Sequence, residues 1–152
     1  MAENPLDPRI LREMAGKEAG YADELKALAE GLRHPILKAL LRGVANDSAK
    51  HSEFYRALLE LATASQPMIS EEEFRRIAQA IEKHIETEKE MVRLTEELLR
   101  KTGDPRAKLI LAAIHSDELV HHRLLTSIKE VIARRETFTE EMLWDAVWRD
   151  SP

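Results

Sequence analysis

Apolar residues recur at spacings of three and four along nearly the whole chain, the pattern of helices that each bury one face. The first run is Leu11, Met14, Tyr21, Leu25, Leu28 and Leu32. It predicts a helix opening at Asp7-Pro8, where proline in the first turn loses no intrahelical hydrogen bond. Pro35 ends or kinks that helix. A second run, Leu37, Leu40, Val44, His51, Phe54 and Leu58, continues to a break at Thr63-Ala-Ser-Gln-Pro67. Ser70-Glu-Glu-Glu73 is a capping box. It opens a third run of Phe74, Ile77, Ile81, His84, Glu88, Met91, Thr95 and Leu98, and Gly103-Asp104-Pro105 closes it. The fourth run is Leu111, Ile114, Glu118, His121, Leu125 and Ile128. A short helix over 137–149 follows, starting near Thr137 or Thr139 and offering Phe138, Leu143 and Val147 for packing on the bundle or on a partner subunit. No sustained period of two appears. The expectation is an all-α protein, with a four-helix bundle over residues 7–135.

The two halves repeat. Placing Pro35 on Pro105, an offset of 70, also places Lys38 on Lys108, Leu41 on Leu111, Val44 on Ile114, Asp47 on Asp117, His51 on His121 and Glu18 on Glu88. Chance matches between amphipathic helices would align apolar residues. They would not so readily align proline, aspartate, histidine and glutamate as well.

Each stripe is interrupted near its middle by polar residues: Glu18 in the first helix, Asp47, Ser48 and His51 in the second, His84 and Glu88 in the third, Glu118 and His121 in the fourth. Buried carboxylates are costly unless paired or bound to metal. Glu118 and His121 stand three apart, hence on one helix face one turn from each other, so both can reach one ion. A carboxylate with an imidazole suits iron, manganese or zinc.

Composition narrows the chemistry. The chain has no cysteine, which excludes thiolate nucleophiles, iron–sulfur clusters and Cys-ligated zinc. A net charge of −5 with no basic block argues against nucleic acid. The start, Met1 to Pro5, has neither a basic region nor an apolar run, and no stretch approaches a membrane span, so a cytoplasmic protein without membrane partners is expected.

The two segments Ala45-Asn-Asp-Ser-Ala-Lys-His51 and His115-Ser-Asp-Glu-Leu-Val-His121 resemble the paired Asp-Glu-x-x-His segments of the ferritin-like superfamily, in its rubrerythrin-like and bacterioferritin-like branch. The resemblance runs from about Glu18 to Leu125. Such bundles take a Glu from each of two helices and Glu-x-x-His from each of the other two. It implies a di-iron centre, with manganese or zinc as other occupants. Glu18 and Glu88 would be terminal ligands, Glu118 a bridge, and His51 and His121 would each hold one ion. Asp47 and Asp117 would hydrogen-bond a ligand histidine and fix its tautomer.

One position departs from that pattern. Ser48 stands where the family has its other bridging Glu, which removes a negative charge and a bridge. Asp47 could swing in, His84 could supply an extra ligand from one turn away, or one ion could bind weakly or not at all. The Cys-ligated iron module of rubrerythrins proper is missing too, so electrons must come from an external donor or from the substrate metal. Among the other residues, Tyr21 could hydrogen-bond Glu18 but reads first as packing. His34, His115 and His122 read as surface or helix-end residues, and Trp144 and Trp148 as packing on the bundle or a subunit contact.

Connectivity bears on assembly. In the ferritin-like fold the link between the second and third helices crosses the length of the bundle. His51 and Glu88 are 37 residues apart. Putting both at one level would need roughly twelve extended residues, given rises of about 1.5 Å per helical and about 3.3 Å per extended residue. The sequence leaves only the stretch from Ala64 to Ser70. Either helix ends unwind, or two chains exchange helix pairs into an intertwined homodimer. The functional expectation is an oxidase or peroxidase acting on O₂ or hydrogen peroxide. The alternative is a non-catalytic metal-binding or helical interaction protein whose site has decayed at Ser48.

Overall fold

A computed structural model describes residues 6–64 and 70–137. They form four α-helices: α1 Pro8–Glu30, α2 Pro35–Thr63, α3 Glu71–Lys101 and α4 Pro105–Thr137. No strand occurs among the described residues. α1 packs on α2 and α3 on α4, giving two helix hairpins that are separate compact units. The chain is thus all-α, with the helix inventory of a ferritin-like four-helix bundle. Of the expected C-terminal helix over 137–149, only Thr137 is described, as the last residue of α4; Phe138, Leu143, Trp144, Val147 and Trp148 lie outside the described residues.

Local chemistry accounts for each boundary. Asp7 caps α1 by accepting from the Arg9 amide at 2.8 Å, and its carboxylate also pairs with the Arg9 guanidinium at 2.9 Å. The same Asp-Pro-Arg arrangement opens α4, where Asp104 accepts from the Arg106 amide at 2.8 Å. Pro35 is the first residue of α2 rather than a kink, with His34 as its N-cap. The capping box of α3 is complete. The Glu73 amide donates to Ser70 Oγ, and the Ser70 amide donates back to the Glu73 carboxylate. Neither break uses a left-handed glycine, since no glycine has positive φ among the described residues. Pro35 and Pro105 stop the preceding helices from running on.

In the first hairpin the buried stripe of α1 is Leu11, Ala15, Ala22, Leu25 and Ala29. The facing stripe of α2 is Ala45, Ser48 and Ser52. Such small residues let the two backbones approach, and Ser52 Oγ donates to the Ala15 carbonyl at 2.8 Å in the buried interface. In the second hairpin α3 turns Ile81, Ile85, Glu88, Val92 and Thr95 inward, while α4 offers Leu111, His115, Glu118, His122 and Leu125 from the half-buried positions.

The expected core stripes need correcting at this point. Val44, Phe54 and Leu58 of α2 are exposed, as are Ile77, Met91 and Leu98 of α3 and Ile114 and Ile128 of α4. The reason is geometric. A hairpin buries one face of each helix, whereas a helix inside a bundle buries two. The small or polar stripe faces the hairpin partner, and the large aliphatic stripe stands on the other face. That outer stripe repeats too: Val44, His51, Phe54, Leu58 and Leu61 on α2 correspond, 70 residues on, to Ile114, His121, Leu124, Ile128 and Val131 on α4, and all ten are exposed.

Candidate metal centre

The middle of the second hairpin brings together three ligand-type side chains. Glu88 comes from α3, and Glu118 and His121 from adjacent turns of α4. One ligand atom from each lies within 4.8 Å of the other two. His121 Nδ1 is 3.7 Å from Glu88 Oε1 and 4.0 Å from Glu118 Oε2. The carboxylates are largely shielded, with side chains 21% and 16% exposed, whereas the imidazole is 49% exposed at the rim.

Among the described residues, no lysine or arginine pairs with the two carboxylates of this cluster. Glu88 Oε2 is buried and has no hydrogen-bond partner. Glu118 is held above the usual carboxylate range. A side-chain hydrogen bond with Glu88 is the largest cause, followed by burial and by the negative charge of Glu88, and His121 opposes the shift. Beside Glu88 and partly buried, Glu118 does not ionise cheaply, which favours a proton on it. A divalent ion would replace that proton and use the orphaned oxygen. The donor set of two carboxylates and one imidazole therefore fits a hard or borderline dication such as Fe(II), Mn(II) or Zn(II).

The first hairpin carries the equivalent group with one member changed. His51 Nδ1 lies 3.4 Å from Glu18 Oε1, and the two side chains are exposed to nearly the same extent as His121 and Glu88. Ser48 occupies the position of Glu118. It is buried, with a short hydroxyl in place of a carboxylate. An open cleft of about 400 Å³ lies beside the pair, lined by Glu18, His51, Phe54, Tyr55 and Leu58.

The remaining candidates divide. Asp47 is engaged by Lys50 at 2.9 Å rather than by His51. Asp117 and His84 are exposed, and neither joins the cluster among the described residues. Tyr21 is exposed and makes no hydrogen bond to Glu18. His34 is a helix-end residue, its Nδ1 accepting from the Leu37 amide at 3.4 Å. His115 and His122 are not simple surface or helix-end residues. Both lie on the α4 face turned to α3. His115 Nδ1 is 3.1 Å from Thr95 Oγ1, and His122 Nδ1 is buried without a partner. The signal for both was present as the spacing of three and four that links His115, Glu118 and His122 on one face.

The sequence pattern of the rubrerythrin family matches residues 23–129, most of the chain, and the protein belongs to that family. The matched stretch includes His51, Glu88, Glu118 and His121 and begins after Glu18. No curated protein and no solved structure matched the chain. Among the described residues, no helix is long and apolar enough to cross a membrane.

Proposed function

We propose that the protein is a ferritin-like di-metal carboxylate protein, an iron- or manganese-dependent oxidase or peroxidase acting on O₂ or hydrogen peroxide. One observation carries the reading: Glu88, Glu118 and His121 each place a ligand atom within 4.8 Å of the other two, and Glu88 Oε2 is buried without a partner. Glu88, Glu118 and His121 would hold one ion. Glu18 and His51 would contribute the second position, which Ser48 leaves short of one carboxylate. A bound redox metal supplies electrons and Lewis acidity toward the oxidant. The chain's own residues set the conditions for that chemistry. Glu88 and Glu118 would neutralise the dication, and Glu118 would exchange its proton for the metal. Zinc would occupy the ligands without turnover.

The working unit is a cytoplasmic homodimer in which each chain lends a hairpin to the other. The stretch from Ala64 to Ser70 is too short for the crossover of a ferritin-like bundle, and the exposed aliphatic stripes of α2 and α4 need partners. The absence of cysteine from the sequence makes the electron donor external or the substrate metal itself.

The test is anaerobic loading with Fe(II), followed by O₂ or hydrogen peroxide. Oxidation that is fast in the wild type and lost in Glu118→Ala and His121→Ala supports the reading. Stable Fe(II) binding without oxidation selects the non-catalytic alternative, for which the Ser48 position is the specific argument.

A further inference from the structure

The repeat holds an asymmetry that the Glu88–Glu118–His121 cluster does not account for. The layer equivalent to the one next to the cluster is apolar in the first hairpin, where Leu25 and Ala45 are both buried. Seventy residues on, the same layer is Thr95 and His115. The fold therefore does not need polar groups at this level, since its other copy fills the position with leucine and alanine.

The hydrogen bonds assign the state of His115. Thr95 Oγ1 lies 3.0 Å from both the Met91 and Val92 carbonyls, so its proton is committed to the helix backbone. Its oxygen then accepts from His115 Nδ1–H at 3.1 Å. With the proton on Nδ1, the lone pair of His115 is on Nε2. That nitrogen faces Glu96 Oε1 at 3.9 Å, too far for a direct hydrogen bond. Glu96 is exposed and pairs with no lysine or arginine among the described residues. Two acceptors thus face each other across a gap open to solvent. A histidine that donates one ring N–H to a fixed acceptor and aims the other nitrogen outward has the usual support of a metal-ligating imidazole.

We propose that His115 Nε2 and Glu96 form a labile second site for a divalent cation, one helical turn from Glu118. Two protein ligands leave the remaining positions to water, so exchange is fast and binding weak. Glu96 is more than half exposed and His115 lies one turn from Glu118, so the site would serve as a station for metal entering that cluster. The station role rests on the metal-centre reading, but the site itself does not.

The experiment uses the full chain in two backgrounds and Mn(II) as probe. In Glu118→Gln/His121→Ala, which disables the main cluster, Mn(II) selectively broadens the His115 ring resonances. Adding Glu96→Gln weakens that response by about tenfold, the lower end of what loss of a group supporting a metal site costs. In the otherwise unaltered chain, Thr95→Leu/His115→Ala copies the layer of the first hairpin and keeps the fold. Its cluster fills to the wild-type level but more slowly. Absence of selective broadening, a response indifferent to Glu96→Gln, or a His115 ring that keeps protons on both nitrogens at saturating Mn(II) overturns the proposal. Broadening of His115 in a protein whose main cluster never takes metal sustains this site and removes the station role.

Discussion

Glu118→Gln separates stability from function more sharply than any other single change. Glu88 and Glu118 present oxygens no more than 4.8 Å apart, and both side chains are largely shielded from water. Two unit charges at that distance repel by about 3 kcal/mol at an effective dielectric of about 20. The raised Glu118 carboxyl and the opposing His121 relieve part of this, so the neutral amide should stabilise the metal-free protein by about 1–2 kcal/mol at pH 7. The sign of the pH dependence follows from the raised Glu118 carboxyl. The folded state binds a proton that the unfolded state has already released. Metal-free wild type therefore loses stability as pH rises from the ordinary carboxylate range through the folded-state value, and Glu118→Gln removes that loss. With Mn(II) or Fe(II) present the order reverses, because the ion stabilises only the chain that binds it. Thermal unfolding from pH 4 to 8, with and without metal, measures all of this. A variant less stable than wild type when metal-free, or a metal-induced rise in Tm equal in both proteins, would refute the reasoning.

Four further outcomes are expected. Ser48→Glu restores the missing carboxylate beside Glu18 and His51. It should raise the metal bound per chain in a titration while destabilising the metal-free protein by about 1–3 kcal/mol, because charge and volume enter a buried position. Ser52→Ala removes the buried bond to the Ala15 carbonyl and should cost about 1 kcal/mol in denaturant unfolding, with metal content unchanged. Ser70→Ala breaks the capping box of α3 and should cost about 1 kcal/mol, read in the same assay. Inserting about ten glycine and serine residues between Ala64 and Ser70 supplies the reach that an in-chain crossover needs. Light scattering should then report a monomer of about the 17.4 kDa chain mass in place of a dimer, and wild type already monomeric would rule out the exchange.

Helix boundaries were legible because they rest on local chemistry. Pro8, Pro35 and Pro105 lie at helix starts, and Ser70 with Glu73 forms a motif readable without tertiary context. The ligand-type residues were legible as polar interruptions of apolar stripes. Their pairing was not: the 70-residue offset aligns Glu18 with Glu88 and His51 with His121, and only the structure brings Glu18 to His51 and Glu88 to His121, at 3.4 and 3.7 Å. The face each hairpin buries was not legible. A bundle helix carries two buried stripes, and spacing of three and four fits both. The eye settles on Val44, Phe54 and Leu58 because they are large, whereas α1 and α2 meet through Ala45, Ser48 and Ser52. The Thr95–His115 pair escaped for a related reason. A threonine and a histidine on an inner face become a defined unit only when the helices show which hydroxyl meets which ring nitrogen.

The family and the local geometry lead to one central claim, that Glu88, Glu118 and His121 bind a divalent metal. Anomalous scattering from crystals grown with Fe(II) or Mn(II), recorded at each metal edge, tests it most directly. A peak is expected about 2.0–2.2 Å from a carboxylate oxygen of Glu88, one of Glu118 and a ring nitrogen of His121. Metal-rich crystals with no peak among those three side chains would contradict it.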